Sequence, residues 1–186
     1  MKEKIWNIPN ILTLSRVVFL PLLYYFVLND MRLAFLIGFI ILGSTDFFDG
    51  LLARKLNLVT SLGKSLDTVA DIFFYFSIIW FFYRFYPDYL IANTFLFIMF
   101  FIFYVGSFVV SIIWAKKPIM LHTTLLRTCA VIIYAVVILS YWFDTTYVIS
   151  GMLILFMIGF VESMAIFIKF GAVDQDTKSY KSLSKK

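Results

Sequence analysis

The chain has 186 residues, of which 62% are apolar or aromatic and only 15% charged, and its mean hydropathy is +0.95. A soluble domain carries roughly 45–50% apolar and about 25% charged residues, so the composition excludes a water-soluble globule and a disordered chain alike. The net charge of +5 reads as cytoplasmic loops beside anionic lipid headgroups, and no nucleic-acid partner is expected.

A membrane-spanning helix needs about 20 mostly apolar residues. Such stretches fall at Ile8–Leu28, Leu33–Ala53, Leu66–Arg84, Leu90–Trp114, Thr123–Phe143 and Tyr147–Phe170. The expected architecture is therefore an all-α integral membrane protein of six transmembrane helices. Residues 1–173 would form a single domain, and 174–186 a basic, frayed cytoplasmic tail. The first stretch contains Arg16 and has no small-residue cleavage pattern, so it reads as a retained span rather than a signal peptide. Cys129 is the only cysteine, which leaves neither a disulfide nor a thiolate metal site.

Cation placement orients the spans. Lys2 and Lys4, then Arg54, Lys55 and Lys64, then Lys116, Lys117 and Arg127, then Lys169, Lys178, Lys181, Lys185 and Lys186 gather on one side. Arg32 and Arg84 stand alone on the other. This positive-inside bias puts both termini in the cytoplasm.

The acidic residues are distributed unevenly. Asp46, Asp49, Asp67 and Asp71 crowd the end of the second span and the start of the third. An acid at mid-bilayer costs about 2.5–3.5 kcal/mol on insertion scales, so four of them require compensation. On a helix, Asp46, Asp49, Gly50 and Ala53 form one stripe, and Asp67 and Asp71 share a face of the next helix. Two antiparallel helices would bring the two faces to similar depth. Converging carboxylates need cations, and an all-oxygen set suits Mg²⁺, Mn²⁺ or Ca²⁺. Two ions would balance four charges, in the manner of paired-metal phosphoryl chemistry. Small Gly50 and Ala53 admit a ligand close to the backbone, and Arg54, Lys55 and Lys64 supply a basic rim. Together these features describe a pyrophosphate site at the membrane surface.

The run Asp46-Phe-Phe-Asp49-Gly50-Leu-Leu-Ala53-Arg54, then eight residues, Gly63, three residues, Asp67, three residues and Asp71 resembles the CDP-alcohol phosphatidyltransferase signature at all of its defined positions. The opening Asn7-Ile-Pro9-Asn10-Ile-Leu-Thr13-Leu-Ser-Arg16 is similar to that of phosphatidylglycerophosphate synthases and related cardiolipin synthases. The likeness is strongest over residues 6–75. It implies that Asp46, Asp49, Asp67 and Asp71 hold two divalent cations, Mg²⁺ or Mn²⁺, with Asp71 also the base toward the acceptor hydroxyl. It further implies that Gly50, Ala53, Arg54 and Gly63 line the site for a CDP-lipid, and that the protein is a homodimer in the cytoplasmic membrane with its site facing the cytoplasm. The reaction would transfer a phosphatidyl group from the CDP-lipid to an alcohol and release CMP.

The acceptor is less legible. Phosphatidylglycerophosphate synthases usually carry an Ala-Arg-Glu run and a later Arg in the fourth span, where this chain reads Phe103-Tyr104-Val105-Gly106-Ser107 and Ser111-Ile112-Ile113-Trp114. Thr68 and Ile72 also replace a proline and a lysine common in that subgroup. Glycerol 3-phosphate is the first expectation, with inositol (phosphate), serine or a phosphatidylglycerol hydroxyl as alternatives. Lys116, Lys117, His122 and Arg127 are the candidate acceptor grip, although each also reads as an ordinary loop or topology residue.

Two further charged residues lie inside spans. Arg16 either snorkels to the headgroups or faces a polar cavity. Glu162 is expected in a structural ion pair, with Arg127 as the partner. The Phe-rich stretch Phe95–Phe108 is expected to face lipid or neighbouring helices. The rival to an enzyme is an ion-coupled transporter, since intramembrane acids often mark ion paths. Against it, the acids cluster at one end of the spans rather than running through them.

Overall fold

A computed structural model describes residues 7–55, 61–175 and 177–184, and its regular structure there is entirely helical. The chain divides into two compact units, Met1–Pro87 and Asp88–Lys186. The boundary expected at residue 173 falls inside the second unit.

In the first unit, α1 (Ile8–Leu28) packs on both α2 (Arg32–Lys55) and α3 (Ser61–Phe85). Asn7 starts α1: in extended conformation, its side chain accepts the Asn10 N–H at 2.9 Å, which satisfies a donor the first turn leaves open. Pro9 sits where its missing N–H costs nothing. The helix ends in a Schellman turn. Met31 N–H reaches the Phe26 carbonyl at 2.8 Å and Asp30 N–H the Val27 carbonyl at 3.2 Å, while Asp30 takes the left-handed conformation, φ 53°. So short a turn makes α1 and α2 an antiparallel hairpin.

Rings dominate the interior of this unit. Phe39 stacks on Phe74 at 5.2 Å, and Phe35 meets Phe81 and Phe85 edge-on at 4.7 and 5.4 Å. The residue met by Phe35 lies later in α3 than the one met by Phe39, so α2 and α3 run antiparallel. Ser77 donates to the Phe73 carbonyl at 2.7 Å, which leaves its oxygen to accept from the Tyr24 hydroxyl at 2.8 Å. At Gly38 a Cβ would stand 2.7 Å from Leu23 Cδ2; glycine there lets α1 and α2 approach closely.

The second unit is built around α7 (Thr146–Phe170), against which α5 (Thr94–Val110), α6 (Thr124–Leu139) and the short α8 (Tyr180–Ser184) pack. The preceding α4 (Pro87–Ala92) is separated from α5 by Asn93. The fourth expected span is thus not one continuous helix. Asn93 is 1% exposed and ties several segments: its amide donates to the Tyr89 and Thr146 carbonyls at 2.9 and 3.2 Å, and its oxygen accepts from Ser150 at 2.6 Å. A buried amide satisfied three times is worth more there than an unbroken turn. The same stretch ends in a π-helical turn, Ser111–Ala115, closed by Lys116 at φ 57°.

Phe100 meets Phe156 and Phe160 at 5.5 Å, whereas Phe95 is 71% exposed, so the Phe-rich stretch serves both packing and the outer surface. At Gly159 a Cβ would lie 2.6 Å from Leu126 Cδ2, which sets the approach of α6 to α7.

Among the described residues three helices are long and apolar enough to cross a membrane: Asn10–Leu28, Thr94–Ala115 and Thr146–Phe170. The apolar part of α2 (Arg32–Thr45) and α6 are shorter. Large apolar side chains such as Val18, Ile41, Ile102, Val131 and Tyr147 are exposed, as befits a surface whose solvent is lipid. The chain is a multi-pass membrane protein.

The described residues of the tail fold back on their own unit, with His122 N–H bonded to the Gln175 carbonyl at 2.9 Å and Thr124 N–H to the Lys178 carbonyl at 2.8 Å. Gly171 redirects the chain out of α7 at φ 66°, ψ −135°, a conformation that L side chains rarely adopt.

Candidate active site

The eight signature residues all lie on two helices of the first unit. Asp46, Asp49, Gly50, Ala53 and Arg54 fall in the last three turns of α2, and Gly63, Asp67 and Asp71 in the first three turns of α3. Their side chains lie outside the described residues, and the backbone gives their register on the two helices. The Phe39–Phe74 stack supplies the reference level. Seven residues on from Phe39 is Asp46, and seven back from Phe74 is Asp67, two turns along each helix toward the same end. Residues seven apart share a helix face. Asp46 and Asp67 therefore hold matching register positions, two turns from the ring contact on each helix, and Asp49 and Asp71 stand about one turn from them along the backbone.

A second feature of this end comes from α1. Asn7, Asn10, Thr13 and Arg16 are buried at three-residue intervals, and Arg16, 1% exposed, is the largest fully buried side chain among the described residues. The Leu23–Gly38 approach fixes the level. Stepping seven residues back from Leu23 gives Arg16, and seven on from Gly38 gives Thr45, next to Asp46. The snorkelling alternative for Arg16 is overturned, because a side chain reaching the headgroups through lipid would be exposed on the protein surface. A buried guanidinium needs counter-charge, and the acids of α2 and α3 share its level. The signal is present in the sequence as a row of polar residues at helical spacing in an otherwise apolar segment. Sequence alone gives that row no function, because Asn and Thr at a helix start also read as caps.

The four acceptor candidates belong to the second unit. Lys116 and Lys117 are exposed and follow the π-helical turn, His122 is exposed before α6, and Arg127 is exposed in its first turn. Thr123 caps α6, accepting the Leu126 N–H at 3.4 Å. Glu162 accepts the Tyr180 N–H at 3.0 Å, a role the expected pairing with Arg127 did not foresee. Nothing in the local sequence of α7 announces a partner 18 residues away, in a tail that reads as solvated. Among the described residues no group of three or more His, Cys, Asp or Glu side chains could hold a metal; the aspartyl quartet is outside that set.

The chain belongs to the CDP-alcohol phosphatidyltransferase family, whose model matches residues 6–168. It is similar to the CDP-diacylglycerol–glycerol-3-phosphate 3-phosphatidyltransferase of Aquifex aeolicus, 47% identical over 74 residues, which are 39% of this chain and 42% of that protein. The protein of the same name from Bacillus subtilis is 40% identical over 81 residues, 36% of this chain and 42% of the relative. A cardiolipin synthase (CMP-forming)/mitochondrial hydrolase fusion protein of Schizosaccharomyces pombe is 39% identical over 71 residues, 38% of this chain and 12% of that protein. The matched segments thus span less than half the length of these relatives. No solved structure matches the chain.

Proposed function

We propose that the protein transfers the phosphatidyl group of CDP-diacylglycerol, or a related CDP-lipid, to an alcohol, with glycerol 3-phosphate as the first acceptor, and releases CMP. The observation that carries this reading is the complete eight-residue signature on α2 and α3, with Asp46 and Asp67 each seven residues from one ring contact. The names of the Aquifex and Bacillus relatives support glycerol 3-phosphate, ahead of inositol (phosphate), serine or phosphatidylglycerol.

Four carboxylates with no nitrogen or sulfur ligand among them fit hard divalent cations, Mg²⁺ or Mn²⁺. Asp46, Asp49, Asp67 and Asp71 would hold two of them. Bound there, such ions supply charge neutralisation for the phosphates and the departing CMP. The chain's own residues do the rest. Gly50, Ala53 and Gly63 leave room for the cytidine diphosphate beside the helix backbone, and Arg54 pairs with phosphate. Asp71 takes the proton of the acceptor hydroxyl as its oxygen bonds to the lipid-side phosphorus, and the bond from that phosphorus to the CMP oxygen breaks. Lys116, Lys117, His122 and Arg127 supply donors for an anionic acceptor. Arg16 balances the aspartyl charge from α1.

The span count and orientation belong to the same reading. α1, α2, α3, the α4–α5 stretch, α6 and α7 are the six crossings, with both termini and the catalytic end cytoplasmic by the cation bias, and the chain works as a homodimer in the cytoplasmic membrane. The test is CMP release from CDP-diacylglycerol by purified protein with Mg²⁺ or Mn²⁺, across a panel of glycerol 3-phosphate, inositol, inositol phosphate, serine and phosphatidylglycerol. Glycerol 3-phosphate should support the fastest release. Silence with every acceptor, together with ion flux in proteoliposomes, would replace the enzyme by a transporter.

A further inference from the structure

We infer that the C-terminal segment, latched by Glu162, is a clasp that holds the 116–123 loop and the start of α6 in shape, which makes Glu162 and Tyr180 positioning residues for the acceptor cations. The inference rests on the acceptor role proposed above for that loop.

The clasp consists of three kinds of contact. First, the strap pairs by its backbone with the loop: His122 N–H to the Gln175 carbonyl at 2.9 Å, and Thr124 N–H to the Lys178 carbonyl at 2.8 Å. Thr124 opens α6, so its N–H has no partner inside the helix, and the strap supplies one. Secondly, the strap is latched to α7. Glu162 Oε1 accepts the N–H of Tyr180 at 3.0 Å, and Lys169 Nζ donates to the Tyr180 hydroxyl at 2.9 Å and lies 5.0 Å from its ring centroid. The Tyr180 ring also meets Phe170 edge-on at 5.6 Å. Thirdly, Tyr180 and Leu183 pack on the buried cluster of Ala115, Leu121, Ile166 and Phe167. Two members of that cluster belong to this region: Ala115 immediately precedes the loop and Leu121 lies within it.

The loop is also held from within, and Ile119 packs on the same buried cluster. Ile119 N–H bonds to Ser111 Oγ at 3.2 Å, and Lys116 turns the chain through the left-handed region. Without the strap, the amides of His122 and Thr124 lose their acceptors, and Lys116, Lys117, His122 and Arg127 lose a common frame. A cation set held in one geometry binds a small anion better than one that must be ordered at binding. The clasp should therefore act on the acceptor and leave the CDP-lipid site on α2 and α3 alone.

The experiment compares the full chain with Glu162→Ala, Glu162→Gln and a truncation after Val173, all in phosphatidylcholine vesicles, which hold none of the candidate acceptors. Two quantities are read: hydrogen exchange at the His122 and Thr124 amides, and KM for glycerol 3-phosphate and for CDP-diacylglycerol separately. In Glu162→Ala and the truncation, both amides should exchange at least tenfold faster. KM for glycerol 3-phosphate should rise about tenfold while KM for the CDP-lipid stays within twofold. Glu162→Gln keeps an acceptor for the Tyr180 N–H and should restore most of both. Unchanged amide protection, an unchanged acceptor KM, or an equal rise in both KM values would overturn the clasp. If the full chain releases no CMP, the proposed reaction fails instead, and amide exchange alone decides whether the strap holds the loop.

Discussion

Asp71 and Asp49 both stand one turn from the Asp46–Asp67 level, yet family resemblance sets only Asp71 against the acceptor hydroxyl. Replacing it with the isosteric Asn keeps an oxygen donor and removes the base. Asp71→Asn should fold normally and lose roughly 10²–10⁴-fold in turnover, the span typical of a lost general base; single-turnover CMP release with saturating Mn²⁺ measures it. Asp144 is a structural counterpart outside the spans. Its carboxylate accepts the N–H and the hydroxyl of Thr146 at 2.8 and 2.7 Å, and these two bonds hold it below the usual carboxylate range. A lowered folded-state pKa means that the stabilising effect is complete above about pH 4, the ordinary carboxylate value, and fades as pH falls through the lowered one. Asp144→Ala should lower the thermal midpoint at pH 7, and the gap to the wild type should narrow as pH falls below the ordinary carboxylate value in a pH series of melts.

The helices pack at the distance their smallest residues permit. Gly159 is such a point, since a Cβ there would lie 2.6 Å from Leu126 Cδ2 and 2.9 Å from its Cγ. Because Cγ is close to the backbone, Leu126 cannot swing aside freely. Gly159→Ala should cost about 1–3 kcal/mol, the range for overpacking, and Leu126→Ala in the same chain should recover part of the loss, a non-additivity that denaturant titrations of the four variants would show. Helix extents were readable one by one: the first expected span and α1 share the bounds Ile8–Leu28, because apolar periodicity, the Asn7 cap and Pro9 are all local. The break at Asn93 was not readable. Its cause is hydrogen bonding to Thr146 and Ser150, more than 50 residues away, and in isolation an Asn inside an apolar run only weakens a helix.

At the scale of the molecule the proposed chemistry depends on gathered charge. Four carboxylates at one end of α2 and α3 repel each other unless cations sit among them. Chelation with EDTA should abolish CMP release and Mn²⁺ or Mg²⁺ should restore it, while far-UV circular dichroism stays constant, because the helices are held by rings and lipid rather than by metal. Loss of helicity on chelation would make the ions structural. The family assignment over residues 6–168 was legible from the motif running from Asp46 to Asp71, since phosphate chemistry needs particular residue types at particular turns of a helix. The proposed acceptor residues were much less legible. A Lys or Arg near a membrane surface has a topological reason to be there whether or not it touches substrate.

By itself the sequence determined the solvent, the extent of helices such as α1, and the family signature carried by α2 and α3. Hydropathy, capping and i to i+7 spacing act within one or two turns, and a bilayer admits almost no backbone form but the helix. Only the tertiary structure decided that Arg16 is buried inside the first unit, that Asn93 breaks the fourth apolar stretch, and that the tail returns to bond the His122 and Thr124 amides while Glu162 of α7 holds it at Tyr180. Each of those outcomes depends on partners distant in the chain, and a polar side chain's role is set by whichever of them completes its hydrogen bonds.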